Sequence, residues 1–97
     1  MSKRDKFIAR MKSQLDEGKA ELHKLESKVG NAQAGVRAKY WQTIEELHEK
    51  RVAAETKLEE IESAGEEAWK DFKDEAERTW TAFKAGVDVF RDFLDHS

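Results

Sequence analysis

The stretch WKDFKDEAERTWTAFKAGVDVFRDFL, residues 69–94, carries a row of apolar side chains at helical spacing. This row, the aromatic ridge, consists of Trp69, Phe72, Ala76, Trp80, Phe83, Val87, Phe90 and Leu94. Intervals of three and four residues place all of them on one face of an α-helix. Each of its five aromatic side chains can bury about 150–250 Å², and soluble monomers rarely expose so large an apolar patch. The sequence therefore predicts that the rest of the chain covers the ridge.

The composition suits narrow helical seams better than a thick globular core. Apolar residues make up 38% of the 97 residues and charged residues 40%, with a mean hydropathy of -0.90. Proline, the strongest helix breaker, is absent. A chain of this length forms one domain, so we expect residues 1–97 to be a single helical coiled-coil or bundle domain.

The first helix is predicted over residues 3–29. Ser2 with Asp5 three residues later resembles a capping box. Apolar residues then follow a heptad, in which Gly18 occupies one seam position. This glycine would either admit a bulky partner such as a tryptophan or be a tolerated departure from the pattern. Gly30 and Asn31 favour a helix end there, since both tolerate the left-handed backbone conformation.

Two further helices are predicted over residues 36–62 and 66–95. The second has Arg51 on its apolar seam, where the stem of the side chain can be buried while the guanidinium reaches water. Between these helices, Ser63-Ala64-Gly65-Glu66 matches a second capping box. Both of these segments, like the first, are about 40–45 Å long at 1.5 Å per residue.

Matched lengths and short turns predict an all-α fold of long amphipathic helices, packed as an antiparallel up-down-up bundle. The alternative is an unbroken helix over residues 3–62, with the helix over 66–95 folded back on it, in an oligomer. The residues that we expect to act by packing, as an interaction seam, are Ile8, Leu15, Leu22, Leu25, Tyr40, Ile44, Leu47, Leu58, Ile61, Trp69, Phe72, Trp80, Phe83, Val87, Phe90 and Leu94.

Residue patterns that carry chemistry are scarce. The chain has no cysteine, and its serines lie outside any nucleophile motif. Glu45-x-x-His48 matches one arm of a carboxylate-bridged metal site, but the second arm that such a site needs is missing. We therefore expect no enzyme activity, no catalytic residues, no metal, no cofactor and no small-molecule substrate.

The charge distribution bears on partners. Residues 1–29 carry a net charge of +3 and residues 63–97 carry -4, which suggests that these segments lie side by side. A basic start with Lys3, Arg4 and Lys6 is compatible with nucleic acid, but the overall charge of -3 argues against it. We expect self-association or another helical protein as partner. A reversible coat on a lipid or other apolar surface is the alternative, because interfacial helices share a face rich in tryptophan and phenylalanine.

Several segments resemble a family of small bacterial coiled-coil proteins that are described as stress-response associated. The resemblance rests on Ser2–Asp5, Gln14–Asp16, Tyr40 with Ile44–Leu47, Ser63–Trp69, and Trp80 with Phe83–Ala85. It implies a non-enzymatic structural or protein-interaction module linked to stress, with no catalytic residues. A looser similarity, in pattern alone, connects the chain to apolipoprotein-like and granule-coating amphipathic helices. With no run of apolar residues long enough for a signal peptide or a membrane span, we expect a cytoplasmic protein.

Overall fold

A computed structural model describes residues 2–96 as three helices in a bundle of 51 × 20 × 17 Å. Helix α1 spans Lys3–Gly30, α2 spans Ala34–Ser63 and α3 spans Trp69–Asp95. Contacts such as Arg4 with Ala64 and Tyr40 with Phe90 show that α2 runs antiparallel to both of its neighbours. The predicted all-α three-helix bundle is confirmed. The alternative of an unbroken helix over residues 3–62 is wrong, because the chain turns at residues 31–33.

The first turn forms without the left-handed residue that we expected. Asn31 has a φ of -90°, and no described glycine has a positive φ. Instead, the Asn31 and Ala32 N–H groups donate to the Ser27 and Val29 carbonyls at 3.0 and 3.1 Å. These bonds satisfy the last carbonyls of α1 while the backbone stays right-handed. The expectation of a left-handed stop is therefore wrong, and α2 begins at Ala34 rather than residue 36.

The second turn corrects the predicted start of α3. Ser63 is the last residue of α2 rather than a cap for α3, so the predicted capping box with Glu66 does not form. The Gly65 carbonyl accepts the N–H groups of Ala68 and Trp69 at 3.1 and 3.2 Å. The chain therefore makes one turn over residues 65–68, and α3 starts at Trp69, three residues later than predicted.

The aromatic ridge is covered by both of the other helices. Trp69 packs against Phe7 of α1 with ring centroids 5.8 Å apart, and Phe90 packs on Tyr40 of α2 at 5.5 Å. Phe83, between them, is fully buried. Because the two ends of the ridge contact different helices, the ridge ties the bundle together along its length.

The seam residues differ in how deeply they are buried. The buried ones are Leu15, Leu22, Leu25, Tyr40, Ile44, Leu47, Leu58, Ile61, Trp69, Phe83, Val87 and Phe90. The partly buried ones, packed against this core, are Ile8, Phe72, Trp80 and Leu94. Core residues beyond those named as packing residues are Phe7, Met11, Val29, Ala54 and Ala76, of which Ala76 belongs to the aromatic ridge. At the start of α1 the core position therefore belongs to Phe7 rather than Ile8, since Phe7 is the residue that meets Trp69.

Gly18 admits the ridge close to the backbone of α1. A Cβ atom built at this position would lie 2.8 Å from Cε2 of Phe83 and 3.3 Å from Cζ3 of Trp80. Real Cβ atoms do not approach another carbon so closely, so only glycine fits here without displacing a ring. The glycine in the seam thus has a packing reason: it sets the distance between α1 and α3.

Ion pairs on the rims connect α1 with α3, as the charge distribution predicts, and also connect α1 with α2. The basic residues of α1 reach carboxylates on the other two helices, as in Lys12 with Glu62 at 3.3 Å and Lys28 with Asp95 at 3.6 Å. Arg4 donates from Nη1 to the Ala64 carbonyl at 2.6 Å, at the negative end of the α2 dipole. Such exposed pairs each contribute little free energy, but together they favour this arrangement over others.

Gly18→Ala should lower the free energy of unfolding by about 1 kcal/mol. Overpacking a closed core costs about 1–3 kcal/mol, which outweighs a gain of about 1 kcal/mol in helix propensity. Gly35→Ala is the matched control, because Gly35 is also helical but has nothing within 4 Å of a Cβ atom. Urea unfolding followed by circular dichroism measures both variants. Equal stabilisation by the two substitutions would contradict the close contact at Gly18.

Lys57 gives the interface of α2 and α3 a pH dependence. Its Nζ lies 3.0 Å from Oε2 of Glu75 on α3 and 3.4 Å from Oε2 of Glu60. Hydrogen bonds to Glu75 and to Glu60 raise the pKa of Lys57 above its ordinary value of 10.5. A group with a raised pKa stabilises the folded state below its ordinary pKa, and this contribution is lost as the pH rises through the raised value.

Lys57→Met should therefore be less stable than the natural chain below pH 10.5, and the difference should shrink as the pH rises beyond that value. Lys24→Met is the control, because Lys24 is exposed and forms no ion pair with any residue between 2 and 96. Urea unfolding over a pH series measures both differences. A Lys57→Met difference that stays constant across the series would disprove the linkage.

Candidate interaction surface

An open groove of about 650 Å³ runs between α2 and α3 and is lined by residues of these two helices alone. Its floor consists of Tyr40, Leu47 and Phe90, which belong to the core of the bundle. The groove therefore exposes the edge of the core that α1 does not cover. Its floor is apolar, as in most surfaces that bind a helix.

The α3 wall of the groove carries a second apolar row beside the aromatic ridge. This row, the outer stripe, consists of Ala82, Gly86, Val89 and Phe93 at intervals of four, three and four. Val89 is 58% exposed and Phe93 is 60% exposed. Two large side chains with this exposure lie one helical turn apart, next to an apolar groove. This is more than the scattered single apolar residues that protein surfaces normally carry.

The half of the α3 wall that lies nearer the start of the helix is shallow, because its residues are small. A Cβ atom built on Gly86 would lie 2.5 Å from Cδ2 of Leu47, so glycine allows α2 and α3 to approach closely at this level. Ala82 and Ala85 continue the low surface toward the start of α3. The wall thus has a hollow half around Gly86 and a projecting half at Val89 and Phe93.

The α2 wall is polar. It presents Lys39, Thr43, Glu46 and Lys50 at intervals of four, three and four. The Lys39 ammonium lies 5.5 Å from the ring centroid of Tyr40. Lys39, Glu46 and Lys50 form no ion pair within residues 2–96. These charges are therefore free to pair with a molecule seated in the groove.

Exposed apolar residues concentrate at the same end of the bundle. Val36 and Trp41, in the first turns of α2, are 38% and 60% exposed. They flank Tyr40, which lines a smaller cavity together with Phe93. Val52 is also exposed, but it does not line the groove. Trp41 itself lines a separate pocket with Val29 of α1 and Ile44 of α2, so the exposed apolar residues at this end lie on more than one side of the bundle.

The Glu45-x-x-His48 pattern does not form a metal site. Nε2 of His48 bonds the Glu26 carboxylate of α1, and Nδ1 accepts from Nε of Arg51 at 3.4 Å. Glu45 is exposed. Among residues 2–96, no group of three or more histidine, cysteine or acidic residues could hold a metal ion. His48 instead joins α2 to α1 through Nε2, while its Nδ1 is bonded within α2.

Arg51 leaves the seam for the rim of the bundle. Its Nη1 lies 2.9 Å from Oε1 of Glu55, which also pairs with Lys19 of α1 at 3.4 Å. Between residues 2 and 96, no polar or charged side chain is buried. The guanidinium thus reaches water, as expected for a polar residue on an apolar seam.

The outer stripe was missed by the sequence analysis, although its signal is present. The spacing 82, 86, 89, 93 repeats the interval pattern of the aromatic ridge. The larger side chains of the ridge already account for the apolar face of α3, so the periodicity of the ridge gives no role to Val89 and Phe93. When the apolar residues of a helix cover a wider arc than its packing in the bundle requires, the extra residues indicate a further packing partner.

Comparisons with models of protein families, with curated proteins and with solved structures find no match to this chain. The resemblance to stress-associated coiled-coil proteins therefore stays a prediction. Within residues 2–96, no helix combines the length and the apolar character that crossing a bilayer requires.

Proposed function

We propose that this chain is a non-enzymatic helical interaction module that self-associates through the groove between α2 and α3. The observation that carries the proposal is the outer stripe, in which Val89 and Phe93 stand 58% and 60% exposed beside an apolar floor. Covering these side chains would remove apolar surface from water, which is the main favourable term in association. The cytoplasmic location and the link to stress stay predictions.

The shape of the α3 wall favours a second copy of the chain as the occupant. A two-fold axis between Ala85 and Gly86 would relate position 82 to position 89 in the other copy. Val89 of each copy would then project over Ala82 in the hollow half of the other, and Phe93 would lie just beyond that half, opposite position 78. Such an isologous contact buries the same patch on both copies and closes as a dimer.

Charge supports the same arrangement. The two-fold axis relates position 78 to position 93, which brings Arg78 to Phe93 and Asp92 of the second copy. Arg78 forms no ion pair within residues 2–96. Its guanidinium could therefore contact an aromatic face and a carboxylate at once. Lys50 would lie at the level of Val89 of the second copy, near its acidic end.

Val89→Lys should weaken self-association by about tenfold or more, because a lysine would have to bury its charge against the hollow half of the other copy. Val52→Lys is the matched control, since Val52 is 49% exposed and outside the groove. Sedimentation equilibrium over a concentration series measures both dissociation constants. A natural chain that stays monomeric throughout, or equal weakening by both variants, would contradict the proposal.

Coating of an apolar surface is the second candidate, favoured by the exposed aromatic residues at one end of the bundle. Trp41 is 60% exposed, whereas Trp69 is buried and Trp80 partly buried. A blue shift of tryptophan emission on adding vesicles or oil droplets should therefore come from Trp41 and be absent in Trp41→Phe, with helicity retained. If no lipid composition shifts the emission of the natural chain, this candidate is wrong.

A further inference from the structure

A cationic cleft lies where the first turns of α1 and α3 meet, on a different side of the molecule from the groove. It encloses about 280 Å³. The residues that line it are Lys3, Lys6, Phe7, Arg10, Trp69 and Lys73. Four of these six residues are cations, and none is acidic. The fold therefore collects positive charge at one small site, although the whole chain carries a net charge of -3.

The structure divides the basic start of the chain into two groups. Arg4 is held by the Ala64 carbonyl, and Lys12 by Glu62, so both serve the contact of α1 with α2. The other cations, at positions 3, 6 and 10, lie on the face of α1 that turns toward α3. Lys73 of α3 joins them there, although it is distant in sequence.

Two buried rings form the floor of the cleft, and one of them, Phe7, holds two of the cations. Phe7 and Trp69 are each 5% exposed, with ring centroids 5.8 Å apart. The guanidinium of Arg10 lies 5.3 Å from the centroid of Phe7, and Nζ of Lys73 lies 5.9 Å from it. Cation–π attraction favours these positions, so the cleft is arranged before any ligand arrives.

Unlike four lysines on the rims of the bundle, the lysines of the cleft are not neutralised by a carboxylate that the structure describes. Lys12, Lys19, Lys28 and Lys57 each pair with a carboxylate on another helix. Lys3, Lys6 and Lys73 pair with no carboxylate among residues 2–96, and only Arg10 has one, Glu77 at 3.3 Å. Like charges that line one cleft repel one another, and a cleft lined by one sign of charge concentrates ions of the opposite sign.

We propose that this cleft binds a phosphate group that bears at least two negative charges. Several ammonium groups and one guanidinium can share the oxygens of such a group, and phosphate is a common partner of both side chains. The volume of the cleft suits one or two phosphates rather than an extended strand. A soluble phosphate ester and a lipid headgroup are the two sources of such a group.

Inorganic pyrophosphate is the probe for the test, with nuclear magnetic resonance of ¹⁵N-labelled protein as the readout. The indole N–H signal of Trp69 should shift and saturate, while those of Trp41 and Trp80 should stay in place. The variant with both Lys6→Gln and Lys73→Gln should bind about tenfold more weakly, as expected when two nearby charges are lost. Glutamine keeps most of the side-chain stem, and circular dichroism checks that the variant folds.

The matched control is the variant with Lys24→Gln and Lys84→Gln. It removes one exposed lysine from each of the same two helices, both outside the cleft, and should bind pyrophosphate as the natural chain does. No saturable shift at Trp69, or equal weakening in both double variants, would overturn the proposal. Tighter binding of an oligonucleotide than of pyrophosphate would also overturn it, because an extended strand would then be the better fit.

Vesicles distinguish the two sources of the phosphate. If the ligand is a headgroup, phosphatidic acid vesicles should bind the protein, phosphatidylcholine vesicles should not, and pyrophosphate should compete. If it is a soluble ester, pyrophosphate should bind while both vesicle types fail to. Vesicle binding that is unchanged by Lys6→Gln with Lys73→Gln and by pyrophosphate would contradict a site in this cleft.

Discussion

Phe83 of α3 lies against the backbone of α1 at Gly18, and the separation of these helices depends on that contact. A side chain larger than hydrogen at position 18 would meet the ring at 2.8 Å. On either side of this point, Trp69 reaches Phe7 on α1 and Phe90 reaches Tyr40 on α2. The ridge is therefore covered only when both turns form and both other helices pack on α3. Burial of these rings is the largest apolar contribution that the sequence offers.

The way in which the ridge is covered determines which surfaces remain free. Because α1 and α2 occupy the face centred on Phe83, the neighbouring face of α3 with Val89 and Phe93 stays open to the groove. Because α1 lies parallel to α3, their first turns meet and bring Lys6 close to Lys73. Both proposed sites thus follow from the helix arrangement rather than from any local motif, which is why they lie on separate sides of one small bundle.

Much of the fold could be predicted from the sequence because helical periodicity is a strong signal over long segments. The three helices and most of the buried residues follow from spacing, and the two turns follow from the glycine-containing stretches Gly30-Asn31 and Ser63-Ala64-Gly65-Glu66. The position of Phe7 could not be predicted, since Phe7 and Ile8 fit the heptad almost equally and only the contact with Trp69 decides between them. The start of α3 could not be predicted either, because Ser63-Ala64-Gly65-Glu66 fits a capping box as well as it fits the end of α2. Hydrogen bonds from the N–H groups of Ala68 and Trp69 to the Gly65 carbonyl form the turn without a serine cap.

The candidate surfaces were harder to predict, for a different reason. Lys73 joins Lys3 and Lys6 only through the packing of α1 on α3, which the sequence of either helix does not show. The outer stripe was visible in the spacing, but a sequence cannot tell whether a second apolar row faces another helix of the same chain or a partner. Exposure of Phe93 and Val89 in the bundle decides that question.

The central claim is that α1 and α2 of the same chain cover the aromatic ridge. Small-angle X-ray scattering tests it most directly, at a concentration where light scattering gives the 11.2 kDa mass of one chain. The bundle predicts a radius of gyration close to 15.5 Å and a longest dimension close to 51 Å. A longest dimension of about 90 Å, the length of an unbroken helix over residues 3–62 at 1.5 Å per residue, would contradict it.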